Sequence, residues 1–152
     1  MKVGTGAYTY EHVENFAQLP AGETFGVISR VTTDSQNRLY VFQRKDPAVV
    51  IFGTDGKYLS SWGSGVFKRA HGFKIVNDVV YLTDQADNVA QIYTLDGKLL
   101  KQLGTRGQHS DTGCEDWHNL PLRAAGPFNH PTEMLPGPTG DLYVTDGYRN
   151  SR

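Results

Sequence analysis

A repeated unit is the feature that most constrains the fold of this 152-residue chain. The segment at 54–59 reads TDGKYL, and the segment at 95–100 reads LDGKLL. The same spacing of 41 residues separates Tyr40 from Tyr81. A period of about 40 residues is typical of repeat architectures, in which each unit buries its apolar face against the next unit.

Each unit contains four short apolar runs that predict β-strands. The runs are rich in Val, Ile, Tyr and Phe and are punctuated by Asp-Gly turns, which excludes helical repeats of similar length. The unit therefore predicts a propeller blade, a four-stranded antiparallel sheet set radially around a channel. The predicted strands are 26–33, 38–42, 48–52 and 58–62 in the first unit, and 72–76, 79–83, 89–93 and 99–103 in the second.

A third unit starts near the end of the sequence, with predicted strands at 131–135 and 141–146. Tyr143 follows Tyr81 by 62 residues, which is 21 more than the period, and this excess predicts an insertion at about 105–125. The predicted fold class is all-β, a partial propeller of about two and a half blades in one incomplete domain. The predicted bounds are about 24–63 for blade 1, about 70–104 for blade 2 and about 127–152 for the start of blade 3.

Two and a half blades do not close a propeller ring. Blade 3 lacks two of its four predicted strands, and a ring needs at least about four blades to close. An open ring leaves apolar sheet faces and an unpaired edge in water. Two explanations remain open: the chain is the N-terminal part of a longer protein, or two copies complete one ring as a homodimer. In the second case, residues 8–13 of each copy serve as an outer strand of the other copy's blade 3.

Charge and composition narrow the classes of partner. The 15 basic and 16 acidic side chains give a net charge of −1, which predicts no nucleic-acid or membrane partner. The single cysteine, Cys114, allows no intrachain disulfide and no multi-cysteine metal site. The sequence shows no apolar run of signal-peptide or membrane-spanning length, so the expected location is cytoplasmic.

The repeat motifs, including Asp-Gly-Lys-x-Leu, resemble NHL repeats, a family of propeller blades. A longer series of segments resembles bacterial relatives of peptidyl-α-hydroxyglycine α-amidating lyase, in order and over essentially the whole chain. It corresponds to the first half of that six-bladed enzyme. The segments are YTYE at 8–11, LPAG at 19–22, YVFQR at 40–44, AHG at 70–72, GQHSDTG at 107–113, AGPFNHPT at 125–132 and DGYRNSR at 146–152.

The resemblance implies a lyase that splits a peptidyl-α-hydroxyglycine into a peptide amide and glyoxylate, with zinc in the central channel. Three histidines from different blades hold that zinc, and His71 matches the first of them. An innermost strand faces the channel, and a neutral imidazole is a standard zinc ligand. The other two histidines would lie beyond Arg152, so we expect this chain to be inactive by itself.

Two further residues match the catalytic machinery of the family. Tyr148 corresponds to its catalytic tyrosine and Arg44 to an active-site arginine. A phenol, with a pKa of about 10, is a poor base at neutral pH unless positive charge favours the phenolate, which zinc and a guanidinium would supply. The resemblance also implies a structural calcium ion, held by the backbone carbonyls of Ile28 and Phe73.

Other readings of these residues remain open. In the structural alternative, His71 is a channel histidine bonded to backbone. Tyr148 is then a turn aromatic packed on a neighbouring blade, and Arg44 is a solvated loop charge. The alternative function is a non-enzymatic NHL-repeat module that binds a peptide or protein partner. Where the animal enzymes have a cysteine pair around the tyrosine loop, this sequence has Asn129 and Arg149, so disulfide bracing of that loop is absent.

We also predict where the two tryptophans, the cysteine and the other four histidines lie in the fold. Trp62 should pack between blades, and Trp117 in the insertion should rim the channel mouth. Cys114 is expected to be a free surface thiol. The other histidines, all in polar or loop contexts, are expected at the surface: His12, His109, His118 and His130.

The dimer explanation has a direct test. If a second copy completes blade 3, the purified chain should elute as a dimer in size-exclusion chromatography with light scattering. A well-folded monomer would contradict this explanation.

Overall fold

The predicted all-β fold class is confirmed by the computed structural model of the chain, which describes residues 1–114, 116 and 118–152. All the regular elements in this described part are β-strands. The strands are β1 (Lys2–Thr5), β2 (Tyr8–Glu11), β3 (Ile28–Thr33), β4 (Leu39–Gln43), β5 (Val49–Phe52), β6 (Tyr58–Trp62), β7 (Ala70–Val76), β8 (Val79–Asp84), β9 (Val89–Thr94), β10 (Leu99–Leu103), β11 (Glu133–Pro136) and β12 (Leu142–Thr145). Within these described residues, no helix is long and apolar enough to cross a membrane.

The strands form two complete four-stranded sheets and two smaller ones. Blade 1 has the order β3-β4-β5-β6 and blade 2 the order β7-β8-β9-β10, each antiparallel throughout. Strands β11 and β12 pair as the start of blade 3, and β1 and β2 form a separate hairpin. The first strands of the three blades lie side by side in the order β3, β7, β11. They are therefore the innermost strands of a partial propeller.

The N-terminal hairpin and the insertion lie outside the blades. The segment at 8–13 contributes β2, which pairs with β1 of the same chain, and the residues of both strands are exposed. Residues 105–125 form no strand within their described part. A hydrogen bond from the Ser110 amide to the Phe128 carbonyl, at 2.7 Å, ties the insertion to the start of blade 3. Trp117 lies outside the described residues.

The main core lies between blades 1 and 2. The rings of Phe42 and Phe73 stack across this interface with centroids 5.0 Å apart, and both side chains are fully buried. Val49 and Leu82 extend the same cluster. Burying a side chain of this size stabilises a fold by about 1.5–3 kcal/mol, so the contact between the blades is a major source of stability.

The opposite face of blade 1 is covered by the segment that precedes it. Ala17, Leu19 and Phe25 pack on the buried residues of that face, among them Phe52. The Gln18 amide donates to the Gly56 carbonyl at 2.8 Å, which joins this segment to the β5–β6 turn. The face that would otherwise be left in water is thus partly closed within the chain.

Trp62 packs between blades, as predicted. It ends the outermost strand of blade 1, and its ring lies 5.3 Å from that of Tyr93 in blade 2. Its indole Nε1–H donates to the Leu95 carbonyl at 3.2 Å. Gly97, with φ +89°, faces the indole so closely that a Cβ there would lie 2.6 Å from Trp62 Cδ2.

The close approach at Gly97 yields a stability prediction. Gly97→Ala should lower the free energy of unfolding by about 1–3 kcal/mol beyond the cost of its positive φ, because the added methyl overpacks the indole. Gly140→Ala is the matched control, since Gly140 has φ +91° and open space where its Cβ would lie. Urea unfolding of both variants separates the backbone cost from the clash. Equal losses in the two variants would contradict the inter-blade contact.

Candidate functional site

His71 stands on the innermost strand of blade 2, at a break in the sheet register. The pairing of β7 with β8 shifts between Ala70 and Phe73, which leaves His71 and Gly72 in a bulge. Bulges often re-aim side chains next to active sites. A Cβ on Gly72 would lie 2.5 Å from the Thr132 carbonyl oxygen, so glycine is needed where blade 3 approaches the strand.

The hydrogen bonds of His71 define its tautomer. Its Nδ1 lies 2.9 Å from the Thr132 carbonyl oxygen. Because a carbonyl only accepts, Nδ1 carries the proton, and Nε2 presents its lone pair to the Tyr148 hydroxyl at 3.4 Å. Burial lowers the pKa of His71 below its ordinary value, and the nearby charges of Arg44 and Arg30 lower it further, against the opposing effect of the Thr132 carbonyl. The imidazole is therefore neutral at pH 7.

Tyr148 reaches His71 from the loop that follows β12. The two rings are nearly perpendicular, at 77°, with centroids 5.7 Å apart, an edge-to-face geometry that aromatic pairs favour. Tyr148 is 48% exposed, so one side of its ring remains open to solvent. Two of the predicted site residues, 77 positions apart in sequence, thus form one pair.

Arg44 lies beside the backbone that carries His71. It follows directly after β4, and its Nε donates to the Ala70 carbonyl at 3.1 Å. It also lines an open cleft of about 240 Å³ between blades 1 and 2, together with Lys45 and Lys68. Arg44 is exposed, and it is anchored to the backbone one residue before the histidine.

Among the predicted site residues, the side chain that fits a zinc ion is that of His71. A neutral imidazole whose Nδ1–H is held by a backbone carbonyl is the arrangement that zinc-binding histidines commonly show, and His71 has it. The described residues contain no group of three or more His, Cys, Asp or Glu side chains that could hold a metal ion. His71 therefore fits one position in a zinc site whose remaining ligands would come from elsewhere.

The two residues predicted to hold calcium stand on neighbouring innermost strands. Ile28 begins β3 and is 46% exposed, while Phe73 is buried in β7. The Ser29 hydroxyl donates to the His71 carbonyl at 2.6 Å and ties these two strand starts together. The metal-binding and catalytic roles of all five residues remain predictions.

Sequence reasoning missed the groups that orient this site. The Thr132 carbonyl leaves no trace in the sequence, because any residue supplies one. Arg30 of β3 and Glu133 of β11 form an ion pair at 3.3 Å that joins blade 1 to blade 3, and neither belongs to a motif. Only the apposition of three innermost strands brings these groups to His71.

Two surface expectations are wrong. Cys114 is buried, and its Sγ lies 3.1 Å from the carbonyl oxygens of Asp116 and Asn119, because the insertion folds back on itself. His130 is half-buried, with Nδ1 at 2.9 Å from Asn129 Oδ1. Burial, together with nearby positive charge, first from Arg149, lowers the pKa of His130 from 6.5 to about 4.

Comparison with known proteins confirms the resemblance to NHL-repeat proteins and amidating lyases. No protein-family model matches the chain. It is 30% identical over 128 residues to human NHL repeat-containing protein 3, covering 77% of this chain and 34% of that protein. It is 29% identical over 105 residues to the Caenorhabditis elegans protein named probable peptidyl-alpha-hydroxyglycine alpha-amidating lyase pgal-1, and this match covers 68% of this chain and 27% of that protein. It is 28% identical over 170 residues to mouse peptidyl-glycine alpha-amidating monooxygenase, and this match covers 93% of this chain and 16% of that protein.

Solved structures support the propeller fold. Two structures of virginiamycin B lyase from Staphylococcus aureus superpose on the chain. One is a catalytically inactive variant with quinupristin, at TM-score 0.57 and 18% identity over 84% of this chain and 37% of that one. The other is the selenomethionine form, at TM-score 0.52 and 19% identity over 79% of this chain and 34% of that one. The chain thus spans about a third or less of the length of each of these relatives.

The lowered pKa of His130 predicts how stability depends on pH. The unfolded chain takes up this proton near pH 6.5, but the folded chain does so only near pH 4. Its contribution to stability is therefore complete above pH 6.5 and is lost as the pH falls toward 4. His130→Asn, which tolerates the positive φ at this position, should weaken the loss of stability between pH 7 and pH 5 in urea unfolding.

His12→Asn is the control, because His12 is exposed in the N-terminal region. It should leave the pH dependence of the parent chain unchanged. An unchanged pH dependence in His130→Asn would show that the folded chain does not suppress protonation at this position.

Proposed function

We propose that the chain is part of a zinc-assisted, peptidyl-α-hydroxyglycine amidating lyase-like propeller. The observation that carries this proposal is the contact between Tyr148 and Nε2 of His71 at 3.4 Å. The ordered similarity to pgal-1 and to the mouse monooxygenase supports the same reaction class. The substrate would be a small, peptide-like molecule that ends in α-hydroxyglycine.

The reaction breaks one C–N bond and moves one proton. The α-hydroxyl oxygen loses its proton as its bond to carbon becomes the carbonyl of glyoxylate, and the amide nitrogen leaves with a proton as the peptide amide. Tyr148 would accept the hydroxyl proton and return it to the nitrogen, the task of a general acid–base group. Bound zinc would supply Lewis-acid polarisation of the substrate oxygen.

His71 and Arg44 would prepare the site for this proton transfer. His71 would give its Nε2 lone pair to zinc in place of the hydrogen bond from the Tyr148 hydroxyl, and the Thr132 carbonyl holds the ring in that orientation. The Arg44 guanidinium, anchored to the Ala70 carbonyl, would balance negative charge that develops on the substrate. The carbonyls of Ile28 and Phe73 are proposed to help hold a structural calcium ion.

One zinc ligand does not make a tetrahedral site, so we expect this chain to be inactive by itself. Further ligands would come from blades outside it or, if two copies complete one ring, from a second copy. Zinc added to the purified chain should bind weakly and substoichiometrically.

A turnover assay tests the proposal in a six-bladed protein that contains these residues. The assay measures zinc-dependent release of glyoxylate from N-benzoyl-α-hydroxyglycine. Tyr148→Phe should lower kcat by about 10²-fold or more, because the proton transfer loses its catalyst. Arg44→Ala should also lower turnover strongly, and both variants should fold.

The chain offers a matched control for each variant. Tyr143→Phe alters an exposed tyrosine of β12, and Lys45→Ala alters the neighbour of Arg44. Both controls should keep near-parental turnover. Near-normal turnover in Tyr148→Phe and Arg44→Ala would refute the roles given to these residues, and no glyoxylate from the parent protein would refute the lyase proposal.

The second candidate function is a non-enzymatic NHL-repeat module that binds a peptide or protein partner. The match to human NHL repeat-containing protein 3, a protein named for its repeats, favours it. Saturable binding of the benzoylated substrate without glyoxylate release would support this function over the lyase.

A further inference from the structure

A buried polar cluster includes two residues of the loop that carries Tyr148. Its members are Asp146, Asn129 and Asn150, which are 1%, 0% and 0% exposed. Buried polar side chains are costly unless they are hydrogen-bonded, and a satisfied buried network holds its elements in one arrangement. The bonds of this cluster therefore bear on how the loop is held.

Asp146 is the centre of the cluster. Its Oδ2 accepts hydrogen bonds from the Asn129 backbone amide at 2.8 Å and from Asn150 Nδ2 at 2.6 Å. Its backbone closes the base of the loop, since its amide donates to the Arg152 carbonyl at 2.6 Å. The seven residues 146–152 thus form a closed loop with Tyr148 near its middle.

The two asparagines connect this loop to separate parts of the chain. Asn150 makes a two-way contact with Ala125: Nδ2 donates to its carbonyl at 2.7 Å, and Oδ1 accepts from its amide at 2.8 Å. Asn129 Nδ2 donates to the Ser110 carbonyl at 3.2 Å and to Thr112 Oγ1 at 3.1 Å. The cluster therefore links the Tyr148 loop to the first half of the insertion and to its last residue.

Apolar packing contributes little to holding this loop. Within the loop, Gly147, Tyr148 and Ser151 are exposed. Between the two end residues of the loop, Asn150 is the side chain that is fully buried. Burial raises the pKa of Asp146 despite the opposing hydrogen bonds from Asn150 and Asn129, so the buried carboxyl is held at a cost in desolvation. Such a cost is consistent with a group that specifies geometry.

We propose that Asp146 is a positioning residue for Tyr148: with Asn129 and Asn150, it holds the 146–152 loop so that the Tyr148 hydroxyl meets Nε2 of His71. The geometric part of this proposal is independent of the reaction, and only its consequence for catalysis rests on the proposed lyase function. Asp146 itself does not touch the reacting atoms.

The Asp146 variants can be compared in the chain as it stands, by NMR. The readout is the cross-relaxation between the ring protons of His71 and Tyr148, with unfolding temperature measured in parallel. Asp146→Ala removes both acceptor contacts and should abolish the cross-peak. Asp146→Asn should retain it, because its amide oxygen can accept both bonds while its NH₂ takes the place of Oδ1, which has no hydrogen-bond partner among the described residues. Tyr148→Ala provides the baseline.

The outcomes separate positioning from simple stabilisation. If Asp146→Ala lowers the unfolding temperature but keeps the cross-peak, the proposal is overturned. It is also overturned if Asp146→Asn loses the cross-peak as completely as Asp146→Ala does. Should Asp146→Ala fail to fold, Asn150→Ala gives the answer, since it removes one arm of the cluster and must weaken the cross-peak.

The measurement needs neither metal nor substrate, so it is independent of the lyase assay. Loss of the cross-peak in Asp146→Ala, together with no glyoxylate from the six-bladed parent protein, would support the positioning role and refute the lyase function. A cross-peak retained in Asp146→Ala, together with glyoxylate release by the six-bladed parent protein, would refute the positioning role and support the lyase function.

Discussion

The packing of one four-stranded sheet against the next is the interaction on which the rest of this structure depends. Phe42 and Phe73 stack across the interface between blades 1 and 2, and Trp62 closes its outer end against Tyr93. This apolar contact fixes the angle and distance between the blades. As a consequence, the innermost strands of blades 1 and 2 lie side by side. A separate apolar cluster that contains Ala90, Phe128 and Met134 packs blade 3 against blade 2, and polar groups far apart in sequence meet beside these strands.

The candidate site is a product of that arrangement and of local departures from regular sheet geometry. A bulge in β7 re-aims His71, and the absence of a side chain at Gly72 lets blade 3 come close enough for the Thr132 carbonyl to hold the imidazole. Tyr148 arrives from a loop with little apolar packing. The site thus combines a rigid histidine with a tyrosine whose position depends on hydrogen bonds.

Much of the fold was predictable because strand pattern and turn chemistry repeat along the chain. The Asp-Gly turns and the short apolar runs marked the blades, and the outer tryptophan was correctly expected between them. Cys114 and His130 were wrongly expected at the surface, because their burial depends on tertiary contacts that no repeat pattern records. The brace of the Tyr148 loop was missed for a similar reason: the cysteine pair is absent, but Asn129 and Asn150 form buried hydrogen bonds in that region.

The amino-acid sequence by itself determined the blades, since period, strand length and turn residues are local properties of the chain. It also singled out His71, Tyr148 and Arg44, through motifs that resemble a known family. The tertiary structure alone decided that His71 and Tyr148 touch, that the histidine is neutral with Nε2 facing the tyrosine, and that Asp146 is buried at the base of the loop. Those properties depend on backbone carbonyls, burial and contacts across 77 residues, which no local pattern records.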